Sequence, residues 1–353
     1  MTWTARRGMS RTAAASLLFT LGAATVANGA QGSGCPADID GDGFVHAADL
    51  AALLADWGGA PSAGVASDID ADGVVGAADL AILLGSWNSC VEVPAWATLV
   101  EAAPDPAVVV DAAWRAAIDA TGLAWRVRDR ATGIEMLLVP PGSFVMGSTA
   151  ADPLAFADES PAHAVTISQP FYLGRRETTQ AEYLAFTGVN PSWHGEADDW
   201  AERPVESVTA SAVDAFVEAA GLRLPTEAEW EYACRAGTGA PNYALAGDSL
   251  GDIAWYGPNA GGETHPVATK TANALGFHDM LGNAWEWVAD LYDGFYYLSS
   301  PAVDPTGPAT GFLRVIRGGS WYAPESNVRS PFRGAFWPEG VLSDTGFRVA
   351  RNP

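Results

Sequence analysis

The strongest constraint on this chain is a segment that occurs twice. DIDGDGFVHAADLAALLADWG, from Asp38, and DIDADGVVGAADLAILLGSWN, from Asp68, align without a gap at a period of 30 residues. Each copy opens with Asp at positions 1, 3 and 5: Asp38, Asp40 and Asp42, then Asp68, Asp70 and Asp72. Gly43 and Gly73 stand at position 6, where a sharp turn calls for positive φ, and Asp49 and Asp79 stand at position 12. Four carboxylates in one loop repel one another unless a divalent cation sits among them. Ca²⁺ takes 6 to 8 oxygens, so the backbone carbonyls of Phe44 and Val74 complete the pattern of a calcium loop. Each loop runs into an apolar helix. Leu50, Leu53, Leu54 and Trp57 recur at helical spacing, as do Leu80, Leu83, Leu84 and Trp87, so each stripe is expected to pack on the other copy.

These residues resemble the duplicated loop and helix of dockerin modules over residues 35–90. The resemblance implies a small all-α calcium domain and a cohesin-like or cell-surface docking partner. The partner-choosing loop positions are Ala47, Ala48, Ala77 and Ala78, a small apolar set that does not suit ordinary cellulosome pairing. Cys35 and Cys90 bracket the module, and a disulfide between them is expected, although sequence alone leaves connectivity open.

Charge and length narrow the function classes. The formal charge of −23 argues against nucleic acid or anionic lipid as partner and suits hard cations. Residues 1–30 combine Arg6, Arg7 and Arg11 with an apolar run from Ala13 to Ala27, the pattern of a secretory signal peptide. The expected address is secreted, periplasmic or cell surface, with no membrane span. Residues 91–121 read as a linker carrying one short helix, DAAWRAAIDA.

From residue 122 the chain alternates apolar and polar residues, then offers three capped helices. Thr179 with Glu182 and Thr226 with Glu229 form capping boxes, and Gly188 and Gly221 read as helix stops. Four phrases follow in order: LLVPPGSFVMGS, RLPTEAEWEYACRAGT, GFHDMLGNAWEWVAD, and RVIRGGSW with GFRVAR. In this order they resemble the sulfatase-modifying-factor family, whose best-known members are formylglycine-generating enzymes. Over residues 122–353 the resemblance implies an α+β, C-type-lectin-like fold with little regular secondary structure.

The resemblance also implies sites. One calcium site would use the Asp279 side chain, the Gly282 and Ala284 carbonyls and the Glu286 carboxylate. Another, matched less well, would use Asp252, Ile253 and Asn259. The expected total is about two calcium ions in the N-terminal module and one or two in the C-terminal domain. In the family's oxidases two cysteines after the GGS motif bind copper(I), which soft thiolates favour. Here those positions are Ala323 and Val328, so no copper is expected, and Cys234 reads as a buried thiol.

Trp285, Ser320, Trp321, Tyr322 and Arg329 fall on the implied substrate cleft. Trp287 and Trp337 add flat rings, and Arg317 and Arg333 add donors, a surface suited to a peptide or glycan. His163, His194, His265 and His278 lack paired ligand spacing and read as structural. The expectation is an exported calcium-binding pseudoenzyme that binds peptide or glycan without catalysis. The rival is a divergent formylglycine-generating oxidase acting on a sulfatase cysteine.

Overall fold

The computed structural model describes residues 35, 37–40, 45, 47–62, 66–87, 91–149, 152–244 and 249–353. The expected signal segment, Asp42, Phe44 and Cys90 lie outside the described residues. In the N-terminal module the two repeats form helices α1 (Ala47–Ala55) and α2 (Ala77–Gly85). Leu53 and Leu83, equivalent in the repeats, are fully buried with Val45 and Val75. The backbone exchange Gly58 N–H to Val75 O (2.8 Å) and Val75 N–H to Gly59 O (2.9 Å) ties the copies together. The buried stripe is narrower than expected: Leu54 and Leu84 are each 52% exposed and Trp57 is 46% exposed. Helices this short bury one row of side chains against each other, and the adjacent row faces out. Cys35 is disulfide-bonded.

The remaining chain forms one hydrophobic core. It begins with β1 (Ala97–Glu101) and α3 (Ala112–Asp119), then β2 (Arg126–Asp129), β3 (Glu135–Val139), β4 (Gly142–Met146), β5 (His163–Ile167) and β6 (Phe171–Gly174). Helices α4 (Gln180–Thr187), α5 (Ala210–Ala220) and α6 (Glu227–Arg235) follow. The chain closes with β7 (Trp285–Leu291), β8 (Arg314–Arg317), β9 (Gly334–Phe336), β10 (Thr345–Phe347) and β11 (Ala350–Arg351). The sheets run β1-β2-β3-β6-β11, β10-β7-β8-β9 and β4-β5. This is a mixed α/β fold with much irregular backbone. Both capping boxes form, and Gly188 and Gly221 end their helices at φ 80° and 67°. Among the described residues no helix is long and apolar enough to cross a membrane.

One stretch departs from expectation. Residues 91–121 are not a free linker. β1 pairs antiparallel with β2, Ala97 opposite Asp129 and Leu99 opposite Val127, and Trp96 meets Tyr172 edge-on at 5.3 Å. Ile118 of α3 is fully buried. The Ala and Pro content that suggests a tether conceals apolar anchors spaced for one strand and one helix.

Candidate functional site

In the N-terminal module, folding gathers the acidic residues in two places. Carboxylate oxygens of Asp38, Asp40 and Asp49 lie within 4.8 Å of one another, as do those of Asp68, Asp70 and Asp79. Asp49 and Asp79 are buried, held by backbone donors: Ile39 N–H to Asp49 Oδ1 at 2.7 Å and Ile69 N–H to Asp79 Oδ1 at 2.6 Å. Asp79 Oδ2 also accepts Gly76 N–H at 2.7 Å, so position 12 of the loop caps its own helix. Gly73 takes φ 93° and Asp72 bends back toward Asp68 and Asp70. At Asp70 a hydrogen bond from Asp72 N–H lowers the pKa, but desolvation and the charges of Asp72, Asp79 and Asp68 leave it raised. Such clusters of oxygen ligands suit a hard divalent cation. Val74, expected to offer a carbonyl, is 52% exposed and donates its N–H to Asp72.

In the C-terminal domain Asp279, Gly282, Ala284 and Glu286 share one buried turn leading into β7. Asp279 takes φ 53°, and its Oδ2 accepts Ala268 N–H at 2.6 Å while Oδ1 is buried without a partner. Burial, with the Glu286 charge, pushes Asp279 up to about 6. Glu286 is engaged by Arg348 at 2.6 Å through both oxygens and by Trp230 Nε1–H at 2.7 Å. A third carboxylate, Glu177, to which no sequence motif points, completes the group. It accepts Ala284 N–H and the Asn283 side chain at 2.8 and 2.7 Å, and burial together with Asp279 and Glu286 raises it well above the usual carboxylate range. Glu177 lies about a hundred residues upstream, so local spacing offers no signal for it. Asp279 Oδ1 is thus an unpartnered carboxylate oxygen beside two further buried carboxylates, with Arg348 and Arg176 as the nearby cationic charges.

At the other expected site Asn259 lies beside the Asp252–Ile253 segment, and the polar side chains have partners there. Asp252 is exposed and caps Ser249, while Asn259 closes a turn onto Tyr256 N–H and the Ala254 carbonyl. Lys270, the only lysine of the chain, reaches this corner. Its ammonium bonds the Gly251 carbonyl at 2.5 Å and lies 3.7 Å from the Trp255 ring.

The expected cleft divides into a wall and a set of struts. Gly318 and Gly319 hold φ 95° and 85°, and a β-carbon at Gly319 would stand 2.9 Å from Val328 Cγ2. That close approach brings Val328 and Ala323 into the core beside Ser320, which donates to Asp344 at 2.8 Å. A methyl and an isopropyl group supply no copper ligand, so the residues present do not fit that ion. Trp321 and Tyr322 meet at 5.5 Å, His194 abuts Trp321 edge-on at 5.4 Å, and Tyr322, Trp193 and Trp337 are largely exposed. Trp285 is buried against Phe332, and Trp287 is core.

The arginines are not cleft donors. Arg329 bonds Asp152 at 2.7 Å and Glu159 at 2.6 Å; Arg317 holds Glu231 at 2.5 Å; Arg333 holds Glu227 at 2.8 Å. All three are buried, because each guanidinium finds a carboxylate from α6 or the 152–159 segment. Cys234 is a free, fully buried thiol bonded to Ser330 at 3.3 Å, and burial pushes it up to about 12. That is the signature of an inert packing residue.

Comparison with known proteins follows this division. Residues 36–85 match the dockerin type I domain family, and residues 123–353 match the sulfatase-modifying factor enzyme 1-like domain. The chain is 30% identical over 289 residues to the formylglycine-generating enzyme of Streptomyces coelicolor, covering 64% of this chain and 91% of that one. Among solved structures it resembles PvdO from Pseudomonas aeruginosa, with 31% identity and a TM-score of 0.57 over 65% of this chain and 98% of that one. It likewise resembles Treponema denticola variable protein 1, with 28% identity and a TM-score of 0.57 over 62% and 95%. The duplicated acidic loops and the GGS wall thus belong to recognised modules, and the chain is a member of the sulfatase-modifying factor enzyme 1-like domain family that carries a dockerin-like module at its N-terminal side.

Proposed function

We propose that this is an exported, calcium-dependent binding protein whose larger domain has lost oxidase chemistry. The observation that carries the reading is the buried pair Ala323 and Val328 beside Ser320, where thiol ligands would be needed, with the free thiol of Cys234 locked in the core. The wall of Trp321, Tyr322 and Ser320 offers stacking faces and a polar edge to a peptide or glycan on a C-type-lectin-like frame. Trp285 lies behind it as support, and Arg329 braces the wall from within.

Calcium plays two parts in this reading. In the N-terminal module Asp38, Asp40 and Asp49, with Asp42 and the Phe44 carbonyl, would hold one ion. Asp68, Asp70, Asp72 and Asp79, with the Val74 carbonyl, would hold the other and set the docking face for a cohesin-like or cell-surface partner. In the C-terminal domain Asp279, Glu286 and Glu177, with the Gly282 and Ala284 carbonyls, would hold a structural ion that neutralises buried charge. A Cys35–Cys90 disulfide would close the N-terminal module.

The test is an oxidation assay on the whole protein. A cysteine-bearing sulfatase peptide is incubated with it, copper and oxygen, and the product is read by mass spectrometry. The expected outcome is unmodified peptide. Aldehyde formation above the protein-free control overturns the reading in favour of a divergent formylglycine-generating oxidase.

A further inference from the structure

A second site is built where α3 lies against α6, and none of its aromatic residues belongs to the 317–330 wall. A cavity of about 690 Å³ is lined by Trp114 of α3, Phe144 of β4 and Tyr232 of α6. That volume is typical of small-ligand sites. The three rings form a fan: Trp114 to Tyr232 is 5.8 Å at 56°, and Phe144 to Tyr232 is 5.3 Å at 41°. Trp114 precedes the matched family domain, which starts at residue 123. The cavity is therefore completed by a residue outside that match.

Two polar atoms in the fan are unused. Tyr232 is only 4% exposed, yet its hydroxyl has no hydrogen-bond partner among the described residues, and burial alone pushes it up to about 12. Trp114 Nε1–H is likewise unpartnered. Room for both is made by glycine. A β-carbon at Gly142 would collide with the Tyr232 hydroxyl, and one at Gly237 would lie 3.0 Å from Trp114 Nε1. Neither atom is sealed from solvent, so both are available to a ligand in the cavity.

The charges bordering the cavity are spent. Asp152 is paired with Arg329 at 2.7 Å, and Arg235 with Glu231 at 2.8 Å. An ionic ligand would find no free counter-charge. A peptide's aromatic side chain would cover the rings but leave the hydroxyl and the indole N–H unsatisfied. A neutral sugar ring meets both demands, because its C–H face stacks on aromatic rings and its hydroxyl oxygens accept hydrogen bonds. We propose that Trp114, Phe144 and Tyr232 form a binding site for a neutral pyranose or pentopyranose unit, separate from the Trp321 wall.

Isothermal titration calorimetry of the whole calcium-loaded protein against cellobiose, maltose, lactose and xylobiose tests this. At least one sugar is expected to bind. Tyr232→Phe, which keeps the ring, should weaken it about tenfold, the equivalent of one hydrogen bond. Trp114→Ala should weaken it further, with the melting midpoint of each variant confirming the fold. Failure of all four sugars to bind overturns the proposal, as does undiminished binding by both variants. Loss of sugar binding in Trp321→Ala with full retention in Tyr232→Phe also overturns it, by moving the sugar to the other wall. None of these outcomes bears on the oxidation assay, so the two readings fail separately.

Discussion

The two halves of this molecule solve the same electrostatic problem in opposite ways. Residues 35–90 carry nine aspartates and no lysine or arginine. Six of these carboxylates gather in two groups of three, each within 4.8 Å, with no lysine or arginine of the module to balance them. The larger domain buries carboxylates too, but it pairs Glu227, Glu231, Glu159 and Glu286 with Arg333, Arg317, Arg329 and Arg348. One half has no lysine or arginine to offer its carboxylates, and the other carries its positive charge covalently. Dependence on added ions should therefore be high in the first and low in the second, except at the Asp279 turn.

The sharpest way to break the comparison is chelation. Removing about two calcium ions with EDTA should unfold the N-terminal module, since an oxygen cage without its cation is a repulsive cluster. Far-ultraviolet circular dichroism should lose the helical signal of α1 and α2. The near-ultraviolet signal of buried Trp230 and Trp287 should persist. Loss of both signals together would show that the larger domain also depends on borrowed charge.

Next in size is removal of one built-in cation. Arg317 is fully buried and bonds Glu231 together with the carbonyls of Ser330, Pro331 and Phe332. Arg317→Met leaves Glu231 with Arg235 alone and strips three buried carbonyls of their donor, and should cost about 3–5 kcal/mol in urea unfolding.

The smallest effect is a pH dependence confined to the larger domain. Burial, then the charge of Glu227, pushes Asp290 up to about 8, and its Oδ2 accepts Glu227 N–H at 2.8 Å. An unfolded aspartate titrates near pH ~4. The folded state therefore holds this proton more tightly, so the contribution is complete below pH ~4 and is lost as pH rises toward ~8. Asp290→Asn, which keeps the acceptor and removes the charge, should raise the melting midpoint at pH 8 by a few degrees and leave it unchanged at pH 4. An unaltered midpoint at both pH values would show that Asp290 is ionised in the fold at little cost.

What could be read in the sequence was local. The repeat, the loop spacing and the caps at Thr179 and Thr226 are set by residues within a dozen positions of one another, and each appears in the fold. Motif order likewise disclosed the family, since four short phrases survive as a set. What could not be read was pairing at a distance. Arg329 passes for a cleft donor until Asp152 and Glu159 arrive from more than 150 residues away. Glu177 looks like any surface acid until it meets Asp279. The stretch 91–121 looks like a tether until β2 supplies its partner. Leu54, Trp57 and Leu84 have the right period for a core and lie one row too far round their helices.

The strand at 97–101 carries a practical consequence for anyone who wishes to cut this protein apart. A fragment begun at residue 123, where the family match starts, would leave β2 with an open flank of unpaired amides, invite strand-to-strand sticking, and strip away Trp96, Ile118 and Trp114. Scissors placed before Val91 keep the seam whole.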